Sequence, residues 1–199
     1  MTESSSINTS LTNIWHCWRA FRSGKKASRD ITEFESRLED NLLRLCADLH
    51  NGTYQHAPYS HHIINEKKRR DIAVSSVRDR VIHRLLYEHL MPLVDASLDP
   101  DVWSCRPNKG LHKALERVAR LCSKYSGGYV WRADITKFFD HINHEILRIN
   151  LQRIIPDDKT LNLLDKVISS YTIEKQASKQ ARPADWQFDE SNFCQHLPQ

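Results

Sequence analysis

The chain has 199 residues, of which 40% are hydrophobic and 27% are charged, and its formal net charge is +4 at neutral pH. This composition is typical of an ordinary globular protein. No apolar run approaches the roughly 18 to 20 residues that span a bilayer, and the start MTESSSINTSLTN lacks the basic-then-apolar pattern of a signal peptide. These features argue against membrane insertion and secretion, and we expect a cytoplasmic protein.

The five cysteines are scattered along the chain without a Cys-x-x-Cys pair: Cys17, Cys46, Cys105, Cys122 and Cys194. An odd number at these spacings predicts neither a disulfide framework nor a zinc site and fits a reducing compartment. Positive charge, in contrast, is concentrated. The window from Glu66 to Arg84 holds seven basic and three acidic residues, so its excess equals that of the whole chain and indicates a polyanionic partner.

Apolar residues at three-and-four spacing predict two helices at the amino terminus. The first contains Trp15, Trp18 and Phe21, an aromatic stripe that fits core packing better than base stacking. The second begins after Asp30, where Thr32 and Glu35 have capping-box spacing, and ends at Gly52. Its apolar face is formed by Phe34, Leu38, Leu42, Leu45 and Leu49.

A hairpin with a basic tip is predicted between Tyr59 and Ser76, where the β-like runs YSHHIIN and RDIAVSS flank the charged EKKR. A helix over Val77–Leu90 follows, and Pro92 ends it or begins the next turn. A further helix over Leu111–Cys122 is predicted to bury its apolar face, formed by Leu111, Leu115, Val118 and Leu121 or Cys122.

The segment YVWRADI predicts a strand that ends near Asp134, which follows a short apolar run and looks buried. Two helices are predicted next, over His144–Ile154 and Asp158–Tyr171, separated at Pro156. Beyond Tyr171 the sequence is polar and aperiodic, and we expect an extended loop or an irregular hairpin.

Three blocks in a fixed order resemble the reverse transcriptases of bacterial retroelements: IINEKKRRDIAVSSVRDRVIHRLLYEHLMPL, SCRPNKGLHKAL and VWRADITKFFDHINHEIL. The match spans roughly Tyr54 to Tyr171 and favours the group II intron and diversity-generating types. It implies a helix-rich α+β fold, the fingers and incomplete palm of a right-hand polymerase. The implied divisions are a helical extension (1–55), a fingers-like region (56–127) and a partial palm (128–199).

The same resemblance implies roles for individual residues. Asp134 and the backbone carbonyl of Ile135 fall where the family binds Mg²⁺ or Mn²⁺, and Phe139 falls where a bulky side chain rejects the ribose 2′-hydroxyl. Arg70, with Lys67 or Lys68, falls where the fingers hairpin grips the triphosphate of the incoming dNTP. A guanidinium that forks two phosphate oxygens and a mobile lysine charge suit this role.

Each of these residues also has an ordinary structural interpretation. A charged hairpin tip is often only a solvated surface, and an aspartate after a strand is often a turn or cap residue. Arg106 and Lys109 match a family loop that contacts nucleic-acid backbone, although a plain surface loop explains them almost as well. His141 and His144 have no carboxylate or cysteine at a metal-ligand spacing.

The family carries two more palm aspartates in a YxDD-like hairpin, and no such tetrapeptide occurs in this sequence. We therefore expect the amino-terminal half of an RNA-directed DNA polymerase, inactive by itself. It would bind RNA template, RNA/DNA duplex and dNTP, and would require the carboxy-terminal half or an accessory protein. The alternative is a non-catalytic RNA-binding or scaffold module.

Overall fold

The computed structural model describes residues 6–65, 69–135 and 138–180; for residues 69–71, 139–140 and 172–180 the description is restricted to the backbone. These ranges contain eight helices and a two-stranded sheet, a helix-rich α+β fold as predicted. The helices are α1 (Leu11–Arg22), α2 (Arg29–Glu35), α3 (Leu38–His50), α4 (Val77–Asp95), α5 (Leu111–Lys124), α6 (Phe138–His141), α7 (His144–Ile154) and α8 (Asp158–Gln180), and the strands are β1 (Ser60–Asn65) and β2 (Arg69–Val74). No described helix has the length and apolar content to cross a bilayer.

The hydrophobic core lies where α1 crosses α4, and α2, α3 and α8 close it. The predicted spacing places Ile14, Cys17, Trp18 and Phe21 of α1 inside this core, whereas Trp15 is 42% exposed. The aromatic stripe is therefore mostly core packing. Burial of one such side chain is worth roughly 1.5–3 kcal/mol, so this face fixes α1 against α4.

The second predicted helix is two helices, α2 and α3, which are separated at Ser36 and Arg37. Arg37 has φ −132° and ψ 40°, outside the helical region. The Ser36 hydroxyl donates to the Glu33 carbonyl and the Asn41 amide donates to the Phe34 carbonyl, at 2.7 and 3.0 Å. Because short polar side chains compete for backbone groups in this way, they favour a break. The predicted capping box is also wrong, since Ser28 precedes α2 and Thr32 lies inside it.

The predicted hairpin is present as the antiparallel pair β1–β2, in a register that runs from Ser60 opposite Val74 to Asn65 opposite Arg69. The Ser60 hydroxyl donates to the Val74 carbonyl at 3.2 Å and closes the base. All six residues of β1 are exposed. An isolated pair of strands is marginally stable in water, so this hairpin depends on what holds its base.

Two predicted helix ends are wrong. α4 continues past Pro92 to Asp95, although Pro92 has no backbone N–H to donate to the carbonyl four residues earlier. α8 continues past Tyr171 to Gln180, through a stretch rich in Glu, Lys, Gln and Ala that favours helix without any apolar period.

The segment between α4 and α8 differs most from expectation. α5 begins at the predicted Leu111 and ends at Lys124, two residues past the predicted Cys122, yet none of its residues is buried, and Leu111 is 71% exposed. The predicted strand YVWRADI is irregular, and Trp131 is 88% exposed. A strand needs a partner for its backbone groups, and β1 and β2, the strands that the structure describes, pair only with each other.

Candidate nucleic-acid interface

One buried carboxylate joins the two ends of the hairpin to α4. Asp79 is fully buried in the first turn of α4. Its Oδ2 accepts from the backbone amide of Ala57 at 3.1 Å and from the hydroxyl of Ser76 at 2.7 Å. Ala57 lies three residues before β1 and Ser76 two residues after β2. Asp79 therefore fixes where the hairpin leaves the core and where it returns.

Tyr54 supplies the third hydrogen bond to this carboxylate, from its hydroxyl to Asp79 Oδ1 at 2.9 Å. Burial first, and then the charge and hydrogen bond of Asp79, raise the pKa of the Tyr54 phenol well above its ordinary value. The phenol thus remains a neutral donor. The buried carboxylate of Asp79 accepts three hydrogen bonds and so has the partners that a buried charge requires. This network makes the arrangement rigid.

Arg78 adds a second attachment from α4 to the segment that precedes the hairpin. Its guanidinium donates to Asp48 Oδ2 at 2.6 Å and to the Gln55 carbonyl at 3.0 Å, and lies 4.9 Å from the centre of the Tyr54 ring. The contacts join the end of α3, residues 54–55 and α4. The base of the hairpin is consequently held from two helices.

Three stacked rings form a further layer at the hairpin base. Tyr59, directly before β1, stacks on His56 with ring centres 4.8 Å apart, and His56 stacks on His83 of α4 at 5.3 Å. The Tyr59 hydroxyl also lies 3.2 Å from the Ser170 hydroxyl on α8. Burial, and next the neighbouring His56, lower the pKa of His83.

The residues predicted to grip the triphosphate fall, in the sequence, between the end of β1 and the second position of β2. Arg70 is in β2, opposite Ile64 and one position from the last pair of the ladder. Its side chain lies outside the described part of the structure, as do Lys67 and Lys68. Their roles remain predictions, whereas the anchoring of the strand that carries Arg70 is a structural finding.

Asp134 is exposed in an irregular segment, not buried at a strand end. Its Oδ1 accepts from the amide of Ile135 at 2.9 Å, and Ile135 is itself 65% exposed. A carboxylate oxygen suits Mg²⁺, but Mg²⁺ requires several oxygen ligands around it. Among the described residues no group of three or more His, Cys, Asp or Glu side chains is placed to hold an ion. The described residues therefore supply one ligand and not a complete site.

Phe139 lies in α6, four residues from the end of the irregular segment. Its side chain is outside the described part of the chain, so its predicted contact with the sugar stays a prediction.

Arg106 and Lys109 contact the end of α4 and residues of their own loop. The Arg106 guanidinium donates to Asp95 Oδ1 at 2.7 Å and to the Asp99 carbonyl at 2.8 Å. This hydrogen bond from Arg106 lowers the pKa of Asp95. Lys109 donates to the Pro100 carbonyl at 2.6 Å and lies 4.2 Å from the centre of the Trp103 ring. These contacts fit the interpretation of this segment as a plain surface loop.

Sequence reasoning assigned no role to Tyr54, His56, Asp79 or His83. A signal was available at Asp79 and His83, which are four residues apart and share a helix face with the apolar Leu86. A carboxylate on an apolar face indicates a buried polar network. Its partners Tyr54 and Ala57 are 25 and 22 residues away, and no local pattern predicts them.

Comparison with known proteins finds two partial similarities. The chain is 26% identical over 148 residues to Protein YkfC of Escherichia coli (strain K12), which is 72% of this chain and 39% of YkfC. It is 28% identical over 90 residues to nuclear intron maturase 1, mitochondrial, of Arabidopsis thaliana, which is 44% of this chain and 12% of the maturase. No family model matches the chain. The chain is thus distantly similar to an intron maturase and spans well under half the length of either relative.

Proposed function

We propose that the chain is the nucleic-acid-binding part of a reverse-transcriptase-type protein and that its basic hairpin contacts phosphates of RNA. The observation that carries this proposal is the hairpin itself, whose two ends are fixed to α4 by the buried Asp79. The similarity to a protein named as an intron maturase supports RNA as the partner.

The chemistry of the hairpin suits a phosphate ligand. Lys67, Lys68, Arg69 and Arg70 place four positive charges next to each other in the sequence at the tip. Charges of this density attract a polyanion, and the base held by Asp79 fixes where β1 and β2 leave the core. The same residues would contact the triphosphate of a dNTP beside the template.

The finer proposal is RNA-directed DNA synthesis by a longer protein that contains this segment. Asp134 and the carbonyl of Ile135 would hold Mg²⁺ or Mn²⁺ together with further carboxylates, and Phe139 would exclude the 2′-hydroxyl of ribonucleotides. The metal, when bound, would neutralise charge that develops on the transferring phosphoryl group. RNA template, RNA/DNA duplex and dNTP are the implied partners.

A second candidate, a non-catalytic RNA-binding or scaffold module, is favoured by one specific observation. Asp134 is exposed in an irregular segment, whereas Asp79 is buried and anchors the hairpin. The buried anchor at Asp79 therefore supports the hairpin, which both candidates use for binding RNA. Only the polymerase also requires Asp134.

Binding of a labelled RNA hairpin at several salt concentrations tests the shared proposal. We expect affinity to fall steeply with salt, because each phosphate contact releases counterions. Arg70→Gln should flatten the slope of log K against log salt by roughly 0.7–0.9, because the variant neutralises one phosphate fewer. The matched control is Arg120→Gln, an exposed arginine on α5. Salt-independent binding, or equal slope changes in both variants, would contradict the hairpin assignment.

Binding of dNTP in the presence of Mg²⁺ by a longer protein that contains this segment separates the two candidates, because the described residues alone supply one metal ligand and not a complete site. If Asp134 is a metal ligand, Asp134→Asn should weaken the binding of dNTP that depends on Mg²⁺ and leave RNA binding unchanged. If the chain is a non-catalytic module, Asp134→Asn should change neither. Loss of RNA binding in this variant would show a structural role that neither candidate includes.

A further inference from the structure

Two histidine rings face each other at the base of the hairpin. His56 Nε2 and His83 Nε2 are 3.3 Å apart, a hydrogen-bonding distance. The His56 side chain is 1% exposed. His56 precedes β1 by four residues, and His83 lies on the second turn of α4. The contact therefore connects the hairpin to the core in addition to Asp79.

The hydrogen bonds of His56 determine which nitrogens carry protons. His56 Nδ1 lies 2.6 Å from the carbonyl of Ala57, which only accepts, so Nδ1 carries the hydrogen. In neutral His56 the Nε2 atom is therefore an acceptor, and the Nε2–H of His83 donates to it. One added proton preserves a hydrogen bond, since a charged His83 still donates to His56, and a charged His56 donates to His83 in its other tautomer. A second added proton leaves two N–H groups facing each other across 3.3 Å.

The charged and titratable groups around the pair do not remove the conflict between the two N–H groups that a second added proton creates. On α4, Asp79 Oδ2 lies 3.9 Å from His56 Nδ1, and its charge favours a proton on His83 whereas that of Arg80 disfavours one; burial and the neighbouring His56 have larger effects and lower the pKa of His83. Arg78, also on α4, has its guanidinium 3.9 Å from Asp79 Oδ1 and offsets part of the charge of Asp79. Among the described residues, the phenol of Tyr59 stacks on His56 and that of Tyr54 donates to Asp79, while Tyr171 packs against Tyr59 and His144 of α7 against Tyr171.

We propose that His56 and His83 form a proton-sensitive latch that holds the base of the basic hairpin to α4 and opens on acidification. The closed pair takes up one proton, and the open pair takes up two. Opening is thus linked to proton uptake and is favoured as pH falls. The lowered pKa of His83 agrees in sign, because a histidine with a depressed pKa stabilises the closed form above about pH 6.5 and loses that contribution below it.

Only the expected effect of the latch on RNA binding rests on the proposed function. Every histidine that gains a proton adds positive charge, so simple electrostatics predicts tighter RNA binding in acid. An open hairpin base would oppose this effect, because β1 and β2 would no longer be fixed to α4. The structural claim itself concerns the hairpin and is testable without nucleic acid.

Amide hydrogen exchange of the whole chain, corrected for intrinsic rates, tests the latch at pH 7.5 and pH 5. One extra proton with a reference pKa near 6.5 favours opening at pH 5 by up to roughly thirtyfold. We expect the protection of amides in β1 and β2 to fall about tenfold to thirtyfold, while the protection of amides in α1 changes less than threefold. An equal fall in α1 would mean general acid unfolding and would overturn the proposal, as would an unchanged hairpin.

His83→Gln is the decisive variant, because a glutamine amide donates to His56 Nε2 and does not titrate. We expect hairpin protection in this variant to be independent of pH between 7.5 and 5. His16→Gln, at an exposed position on α1, is the matched control and should behave like the unmodified chain. A fall in His83→Gln as large as in the unmodified chain would overturn the latch.

Should His83→Gln not fold, the ring nitrogens of the unmodified chain give the answer by NMR titration. The latch requires His56 and His83 to take up their protons in two separate steps, the second at least one pH unit below the first. Two independent titrations near pH 6.5 would contradict it. If exchange supports the latch and the chain binds no RNA, only the proposed function fails.

Discussion

The helical core of α1 and α4 and the segment from Leu111 to Ile154 contain helices of the same amphipathic type with opposite surroundings. In α1 the apolar positions Ile14 and Cys17 are completely buried against α4. In α5 the apolar positions Leu115 and Val118 are 56% and 53% exposed. An apolar stripe thus shows which face of a helix can be buried. Whether that face is buried depends on a neighbouring element that packs against it.

The same contrast holds for how the helices are attached. α7 contacts α8, and Arg148 of α7 donates to Asp165 and Ser169 of α8. Ile146 and Ile149 of α7 are nonetheless 57% and 50% exposed. Polar contacts at a surface are worth about 1 kcal/mol or less, so this attachment is weak beside the burial of the α1 face. We infer that most of the folding free energy of the described residues resides in the helical core.

The largest expected effect on the free energy of unfolding is at a buried leucine of α3. Leu45 is completely buried, and Leu43 on the same helix is 46% exposed. Leu45→Ala removes buried methyl groups and leaves a cavity, which should lower the free energy of unfolding by about 2–5 kcal/mol. Leu43→Ala, the matched control, should lower it by less than about 1 kcal/mol. Urea unfolding measures both, and similar losses would show that the buried core does not dominate stability.

An intermediate effect is expected where the amino terminus joins α8. Asp157 accepts from the amides of Ile7 and Thr160 at 3.2 and 3.0 Å and from the Thr160 hydroxyl. Burial tends to raise the pKa of Asp157, but hydrogen bonds from Thr160, Ile7 and Ser6 outweigh it and lower the pKa to about 2. Because the folded pKa is below the unfolded value of about 3.9, the carboxylate stabilises the fold above pH 4, and this contribution disappears as pH falls through 2.

Asp157→Asn measures that contribution. The carboxylate is partly solvated, so we expect a loss of about 1 kcal/mol at pH 6, less than the full shift would give. The difference between the variant and the unmodified chain should shrink as pH approaches 2. Asp158→Asn, at the next and exposed position, is the control. A difference that stays constant from pH 6 to pH 2 would assign the loss to packing instead of charge.

Local patterns predicted the parts of the fold that local physics determines. The hairpin follows from two β-like runs around a charged tip, and the bounds of α7 follow from the position of Asn143, whose side chain caps the helix, and from its apolar spacing. The anchoring by Asp79 depends on Tyr54 and Ala57, distant in sequence. The predicted strand at Asp134 failed for a related reason, since pairing is set by a partner strand and not by the residues of the strand itself.

The smallest expected effect is at Leu115 on α5. Leu115→Gln replaces an exposed apolar side chain by a polar one of similar helix propensity, so the free energy of unfolding should change by less than about 0.5 kcal/mol. Leu85→Gln on α4, where the side chain is 1% exposed, makes the same substitution in the core and should cost several times more, because it buries an amide without partners. Urea unfolding at two protein concentrations distinguishes the outcomes. A loss above about 2 kcal/mol for Leu115→Gln at every concentration would mean that this chain covers its own α5 face in solution. A loss that grows with concentration would mean that a second copy covers it, because only association makes stability depend on the amount of protein. No loss at either concentration would confirm that the apolar face of α5 is uncovered in the isolated chain, in contrast to the buried face of α1.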